Sequence, residues 1–102
     1  MIKLFTYGTL MNPEMMSMVI RREITGVPYV ANFKHLTPLM QNPMYMQMGH
    51  SLDEEDTVEG IVYEITSDEW RLVDKYETDM YLRDFFVRDG ECYWFYTENF
   101  HF

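Results

Sequence analysis

Residues 57–77 read TVEGIVYEITSDEWRLVDKYE and place a strand pattern directly before a helix pattern. Thr57–Ile65 is rich in β-branched and aromatic residues, which is typical of a strand. Thr66 and Glu69 then have the spacing of a capping box, in which each side chain accepts a hydrogen bond from the other residue's backbone N–H. The stretch therefore predicts a strand followed by a helix over about Ser67–Tyr76.

The N-terminal residues predict another strand and another helix. Ile2–Tyr7 is short, β-branched and aromatic, and it indicates a first strand. Asn12 is a favoured N-cap residue, and Pro13 suits the first helical position because an N–H there would have no partner within the helix. Residues 15–22 can continue this helix and offer apolar side chains to the core: Met15, Met16, Met18 and Val19.

Further strands are predicted after each helix. Val27–Met40 is β-prone and predicts one or two strands. Tyr81–Arg88 and Glu91–Thr97 are joined at Asp89-Gly90, a residue pair that favours a two-residue hairpin turn. Two helices among a larger number of strands predict the α+β class with a mostly β core.

The chain is short and acidic. Its 102 residues suffice for one domain, residues 1–102, with one modest core. Seventeen acidic residues against eight basic ones give a net charge of −9, and because such a surface repels a polyanion, direct nucleic-acid binding is not expected. The acidic residues serve solubility or, alternatively, dock on a basic protein partner. The acidic run Asp53–Asp56 is expected to be an exposed loop.

The sequence shows no membrane or secretion signal. No stretch approaches the roughly 20 apolar residues that a membrane helix needs, and the first residues lack the pattern of a secretory signal. Cys92 is the single cysteine, so no intrachain disulfide can form. We therefore expect a soluble protein of the cytoplasm that does not bind membranes.

Two further patterns have both a functional and a structural interpretation. Met44, Met46 and Met48 alternate near His50, as in a thioether site for Cu(I), although the same spacing suits one packed face of a strand. We adopt the strand interpretation because the sequence offers no second methionine and histidine cluster. Cys92 could form a nucleophilic pair with a histidine, but its place in a predicted strand favours a buried or half-buried structural thiol.

The helix predicted after Thr66 carries an acidic residue on its apolar side. At about 100° per residue, Trp70, Val73 and Glu77 fall on one face of this helix. A carboxylate on that face is partly desolvated, which raises its pKa and makes it a better proton acceptor at neutral pH. The alternative is that the helix ends earlier and Glu77 lies in a solvated turn.

The segment Tyr7-Gly8-Thr9-Leu10 lies between the first strand and the first helix. Glycine there allows close approach of a ligand to the backbone, and successive N–H groups before a helix favour an anion or a developing oxyanion. The alternative is a tight turn that only connects the two elements.

Four segments together resemble one known family. Residues 7–10 resemble the Tyr-Gly-Ser/Thr-Leu signature of the γ-glutamylcyclotransferase-like family, which includes the γ-glutamylamine cyclotransferases and the plant AIG2-like proteins. Residues 58–63 are similar to its central Gly-x-Val-Tyr strand, and residues 94–96 to its closing Trp-x-Tyr strand. Residues 73–83 resemble its Leu-Asp-x-Tyr-Glu…Tyr-x-Arg segment. The order and spacing of the segments match over nearly the whole chain.

The resemblance implies a fold and a reaction. The implied fold is a small mixed β-barrel flanked by helices, with a ligand pocket at one mouth of the barrel. The implied substrate is a γ-glutamyl amine or γ-glutamyl amino acid, whose α-amine attacks its own γ-carbonyl. This attack closes a five-membered ring, 5-oxoproline, and expels an amine or amino acid. The resemblance implies no metal and no cofactor.

The resemblance also implies roles for individual residues. Glu77 matches the catalytic base and would also pass its proton to the leaving amine. Tyr7–Leu10 would supply backbone donors to the substrate, and Tyr81 and Tyr96 would contribute hydroxyl groups or pocket wall. Thr78 stands where the family commonly carries a glycine.

Two other kinds of protein fit the same sequence. One is a binding protein that keeps the scaffold and its pocket but holds or modifies another small ligand. The other is an acidic interaction protein whose surface, rather than its pocket, carries the function. Glu77 favours the enzyme because neither alternative needs a carboxylate at that position.

Overall fold

In the described residues, the strands and helices follow one another in the predicted order. A computed structural model of the protein describes residues 1–32 and 57–98. The elements are, in chain order, β1 (Ile2–Thr6), a 3₁₀ turn (Thr9–Met11), α1 (Pro13–Ile20), β2 (Val27–Asn32), β3 (Thr57–Ile65), α2 (Ser67–Glu77), a second 3₁₀ turn (Thr78–Met80), β4 (Tyr81–Arg88) and β5 (Glu91–Glu98). The predicted α+β class is confirmed.

The described strands form one mixed sheet in the order β2-β3-β1-β5-β4. β1 and β5 are parallel, with Leu4 opposite Trp94, and the other neighbouring strands are antiparallel. Within the described residues the sheet is open, whereas the sequence resemblance implied a closed barrel. The sheet is curled nevertheless, since its edge strands come close enough for Arg88 at the end of β4 to donate hydrogen bonds to the Val30 carbonyl (3.0 Å) and the Tyr29 hydroxyl (3.3 Å) on β2.

Both helices begin where the sequence predicts. The Asn12 side chain accepts a hydrogen bond from the Glu14 backbone N–H at 2.9 Å and caps α1. α1 ends two residues earlier than predicted, since Arg21 adopts the left-handed conformation with φ 61°. Thr66 and Glu69 form the predicted capping box of α2, which extends to Glu77.

The predicted hairpin between β4 and β5 is confirmed. Asp89 and Gly90 both have positive φ angles, 54° and 78°, as a two-residue turn between twisted strands requires. Cys92 lies two residues after the turn, opposite Val87 in the strand register. The thiol is exposed, so the expectation of a buried or half-buried cysteine is wrong. Val87 is also 57% exposed, so both side chains of this cross-strand pair face solvent.

The curled sheet has an apolar cluster on each of its faces. Successive residues of a strand point to opposite faces, so β1 contributes Leu4 to one cluster and Phe5 to the other. The helices cover the Leu4 face, where Met16 and Val73 are fully buried. Met18, expected to face the core, is instead 76% exposed. The opposite face is concave and holds Phe5, Ala31, Val62, Phe86 and Phe95.

Gly60 permits the close contact between β3 and β1. A Cβ atom at this position would lie 2.2 Å from the Thr6 carbonyl oxygen and 2.5 Å from a ring carbon of Phe5. Backbone carbonyls cannot move aside without breaking the ladder, so a side chain would separate the strands. Glycine at position 60 is therefore explained by the packing of β3 against β1.

Several sequence features lie outside the described residues. These are the alternating methionines, the acidic run, the histidines and the second half of the predicted β segment: Met44, Met46, Met48, Asp53–Asp56, His35, His50, His101 and residues 33–40. Among the residues that are described, neither helix is long and apolar enough to cross a membrane.

Candidate active site

The sheet topology brings the predicted site residues to one end of the molecule. β1 and β5 run parallel, so the end of β1, after Thr6, lies at the same end of the sheet as Tyr96. β4 runs antiparallel to β5 and therefore starts at that end, with Tyr81 opposite Glu98. α2 ends at Glu77, and the second 3₁₀ turn leads directly from it into Tyr81.

The loop after β1 has hydrogen-bond donors to offer. Within the described part of the chain, no acceptor is paired with the backbone N–H groups of Gly8, Thr9 or Leu10. Apart from Gly8 itself and its two neighbours in the chain, no described residue has an atom within 4 Å of the position that a Cβ atom of Gly8 would take. The backbone of Gly8 has a negative φ and does not require glycine, so the glycine serves to leave space beside the backbone.

The same loop contacts the C-terminal turn of α2. The Thr9 hydroxyl and the Tyr76 hydroxyl lie 2.9 Å apart and share a hydrogen bond. Tyr76 directly precedes Glu77 in the helix. The candidate base and the candidate backbone donors therefore belong to segments that touch each other, although they are almost 70 residues apart in sequence.

Glu77 is the last residue of α2 and is half-buried. Its burial raises the pKa of the carboxyl group above the usual 4.5. Within residues 1–32 and 57–98 the carboxylate makes no hydrogen bond or ion pair that would offset the cost of burying its charge. A carboxylate of this kind accepts a proton more readily than a solvated one.

Tyr7 and Tyr96 connect the loop to the sheet. The Tyr7 hydroxyl donates a hydrogen bond to the backbone carbonyl of Tyr96. The Tyr96 side chain is buried, and its hydroxyl donates to the Asp74 carboxylate on α2. Burial first, and then the bond to Asp74, raises the pKa of Tyr96, so this hydroxyl stays protonated. Tyr81 is half-buried and packs against the cluster on the helix-covered face.

Asp74 and Arg83 belong to this arrangement but were not predicted as site residues. Arg83 donates from Nε to Asp74 Oδ1 at 3.1 Å and from Nη2 to Asp74 Oδ2. Its guanidinium group also lies 3.5 Å from the centre of the Trp70 ring. A sequence signal existed, since Asp74 and Arg83 both lie in the segment 73–83 that carries the family resemblance.

A cavity of about 560 Å³ lies at the opposite end of β1. Met1, Lys3, Arg22, Tyr29 and Tyr93 are among the residues that line it, and none of the predicted site residues does. This cavity therefore gives no support to the site around Glu77. Within the described residues, no group of three or more His, Cys, Asp or Glu side chains could hold a metal ion.

Comparison with known proteins identifies the family. The family model described as "Gamma-glutamyl cyclotransferase, AIG2-like" matches residues 4–99. No curated protein and no solved structure matches the chain. The family match spans β1 to β5 and contains Glu77, Tyr81, Tyr96 and the loop Tyr7–Leu10. The chain belongs to the AIG2-like γ-glutamyl cyclotransferase family.

Proposed function

We propose that this protein, as one domain, is a cytoplasmic cyclotransferase that acts on a γ-glutamyl amine or γ-glutamyl amino acid. The family supports an enzyme of this general class. The substrate's α-amine would attack its γ-carbonyl carbon, so that a ring C–N bond forms and the exocyclic amide C–N bond breaks. The products would be 5-oxoproline and the free amine or amino acid. All reacting atoms belong to the substrate, so the protein only has to fold it and move protons.

Glu77 is the proposed general base. It would take a proton from the α-ammonium group and later give that proton to the leaving amine. One observation carries this assignment: Glu77 is half-buried with a raised pKa, directly after the residue that contacts the Gly8–Leu10 loop. A carboxyl group whose pKa lies closer to neutral pH performs both proton transfers better than a solvated carboxyl group.

The loop after β1 is the proposed binding site for the substrate's oxygens. The available N–H groups of Gly8, Thr9 and Leu10 would stabilise the oxyanion that forms when the γ-carbonyl is attacked. The space beside Gly8 would admit the substrate close to these donors. Tyr7, Tyr81 and Tyr96 would form part of the pocket wall. The reaction in this form uses no metal and no cofactor.

Glu77→Gln tests the assignment. Glutamine keeps the size of glutamate but accepts no proton, so turnover should fall by roughly 10²–10⁴-fold, as for loss of a general base. The assay offers γ-glutamyl amines, γ-glutamyl amino acids and glutathione, and follows 5-oxoproline by mass spectrometry. Glu59→Gln is the matched control, because Glu59 is an exposed residue of β3 outside the site. It should leave turnover unchanged.

The same variant has a pH-dependent effect on stability. Because the pKa of Glu77 in the folded protein exceeds 4.5, ionising the carboxyl group costs stability as pH rises from below 4.5 through the raised pKa. Glu77→Gln removes this cost. The variant should therefore match the wild type at acidic pH and have the larger free energy of unfolding at neutral pH, as measured by urea denaturation.

The outcomes separate the three kinds of protein. Equal 5-oxoproline release by the wild type and Glu77→Gln would overturn the base assignment. No release from any substrate, together with tight binding of another small molecule, would establish a binding protein on this scaffold. If replacing Asp53–Asp56 with serine abolished binding to a basic protein and left ligand binding intact, the interaction protein would be favoured.

A further inference from the structure

Tyr96 connects the two halves of the candidate site. Its backbone carbonyl accepts the hydrogen bond from Tyr7, at the start of the donor loop. Its hydroxyl donates to Asp74, one helical turn before Glu77 in α2. Tyr96 is 8% exposed, so its own side of both bonds is shielded from water, whereas the Asp74 side chain is 40% exposed.

Asp74 holds this turn of the helix through several partners. Its carboxylate accepts from Tyr96 and, at two oxygens, from the Arg83 guanidinium group, which is stacked on Trp70. A paired Arg–carboxylate contact of this geometry fixes orientation as well as adding energy. The backbone carbonyl of Asp74 also accepts from the N–H of Thr78, directly after the helix end. Asp74 therefore connects α2 to both β4 and β5.

We infer that Tyr96, Asp74 and Arg83 are positioning residues, which hold the last turn of α2, and with it Glu77, at a fixed place relative to the Tyr7–Leu10 loop. This inference rests on the proposed function for its catalytic consequence. None of the three residues needs to touch the substrate for this role. The Tyr96 hydroxyl is already engaged by Asp74, so its removal should act on the placement of Glu77 rather than on substrate affinity.

Tyr96→Phe is the central variant, because it deletes one hydroxyl group and keeps the ring in the core. Tyr93→Phe is its matched control on the same strand. The Tyr93 hydroxyl also donates to a carboxylate, that of Glu91 at 3.1 Å, and Glu91 also pairs with a cation, Lys3. The two variants thus lose the same chemical contact at different places. Asp74→Asn is a second test, since it keeps the shape of the side chain and removes its charge.

Hydrogen exchange of backbone amides tests the placement without any activity measurement. In Tyr96→Phe and Asp74→Asn, exchange at Tyr76, Glu77 and Thr78 should accelerate about tenfold or more, because the last turn opens more often. Tyr93→Phe should leave exchange at these amides unchanged. Unchanged exchange in Tyr96→Phe and Asp74→Asn, or equal acceleration in Tyr93→Phe, would overturn the inference.

Steady-state kinetics tests the consequence for catalysis. Misplacement of a catalytic group by about 1 Å can cost on the order of 10²-fold, so kcat of Tyr96→Phe should fall by roughly 10- to 100-fold with KM changed less than about threefold. A rise in KM at constant kcat would overturn the positioning role and make the Tyr96 hydroxyl a substrate contact. If the wild type released no 5-oxoproline, the proposed function would fail, and the exchange result would still decide whether the network holds the helix end.

Discussion

Thr78 occupies a backbone conformation that suits glycine. Its φ of 65° and ψ of −173° lie in a region that residues with a Cβ atom rarely enter, and β-branched side chains least of all. The conformation is held by the Thr78 N–H bond to the Asp74 carbonyl and by a weak bond from the Met80 N–H to the Thr78 hydroxyl at 3.4 Å. The strain lies immediately after Glu77, where it can help to fix the direction in which the chain leaves the helix.

Thr78→Gly should stabilise the protein. Relief of strain of about 1–3 kcal/mol is partly offset by the greater freedom of glycine in the unfolded chain, which leaves a net gain of about 1 kcal/mol. Urea denaturation measures this gain. Arg21→Gly is the comparison, since Arg21 also has a positive φ but lies in the ordinary left-handed region at ψ 35° and should gain less. A loss of stability in Thr78→Gly would show that the threonine side chain stabilises this turn.

Rules that use only the local sequence predicted the burial of Glu77, but not the backbone conformation of Thr78 or the partner of Tyr96. The half-burial of Glu77 follows from helical geometry once the helix extends to this residue, because Glu77 then shares a face with Trp70 and Val73. The strain at Thr78 and the bond between Tyr96 and Asp74 could not be read from the sequence. Both depend on how α2 meets the sheet, and Tyr96 is 22 positions away from its partner.

The N-terminus of α2 shows how one side chain serves two elements. Glu69 completes the capping box by accepting from the Thr66 N–H at 2.9 Å. It also accepts from Arg22, with its Oε2 2.6 Å from Nε and its Oε1 3.1 Å from Nη2, and so connects α2 to the residues after α1. The capping box is predictable because it spans four residues. The partner Arg22 is not, since it lies 47 positions away.

Glu69→Gln should lower stability in a pH-dependent way. The hydrogen bond to Arg22 is the main cause that lowers the pKa of Glu69 from 4.5 to about 2, so its contribution is complete above 4.5 and is lost as pH falls to about 2. Arg22 is 46% exposed, and solvent screening limits the loss at neutral pH to about 1 kcal/mol or less. Glutamine can still accept the capping hydrogen bond from the Thr66 N–H, so the variant measures the contribution of the Glu69 charge separately from that of the cap.

Urea denaturation at several pH values measures this effect. The difference between Glu69→Gln and the wild type should shrink towards zero near pH 2. Asp68→Asn is the matched control on the same turn, because Asp68 is 93% exposed and lies 3.8 Å from its partner Arg71. It should change stability by no more than a few tenths of a kcal/mol. A pH-independent loss in Glu69→Gln would show that capping, rather than the ion pair, is what Glu69 contributes.

At the scale of the whole molecule, the two ends of the sheet along the strand direction carry different features. The end after β1 carries the loop, Glu77 and the network around Asp74. The opposite end carries the cavity near Lys3 and the contact of Arg88 with β2. Apart from the β4–β5 hairpin, the strand order and the register were not predictable, because a strand pattern specifies the face on which each residue lies but not which strand pairs with it. The parallel pairing of β1 with β5, which gathers the site, joins segments about 90 residues apart.

Arg88→Met should weaken the curled sheet without affecting the site. Methionine keeps much of the length and apolar contact of arginine but donates no hydrogen bond to Val30 or Tyr29, and it removes a cation 5.4 Å from the Tyr29 ring centre. We expect a loss of about 1–2 kcal/mol, measured by urea denaturation, because one backbone carbonyl and one hydroxyl lose their donor. Arg71→Met is the control, since the Arg71 side chain is 79% exposed, and it should cost far less stability.

Turnover of Arg88→Met should stay within about twofold of the wild type at temperatures where both are folded, because additive behaviour is typical of distant sites. A large fall in kcat would contradict this independence and show that the contact between β4 and β2 at one end of the sheet sets the geometry of the site at the other end.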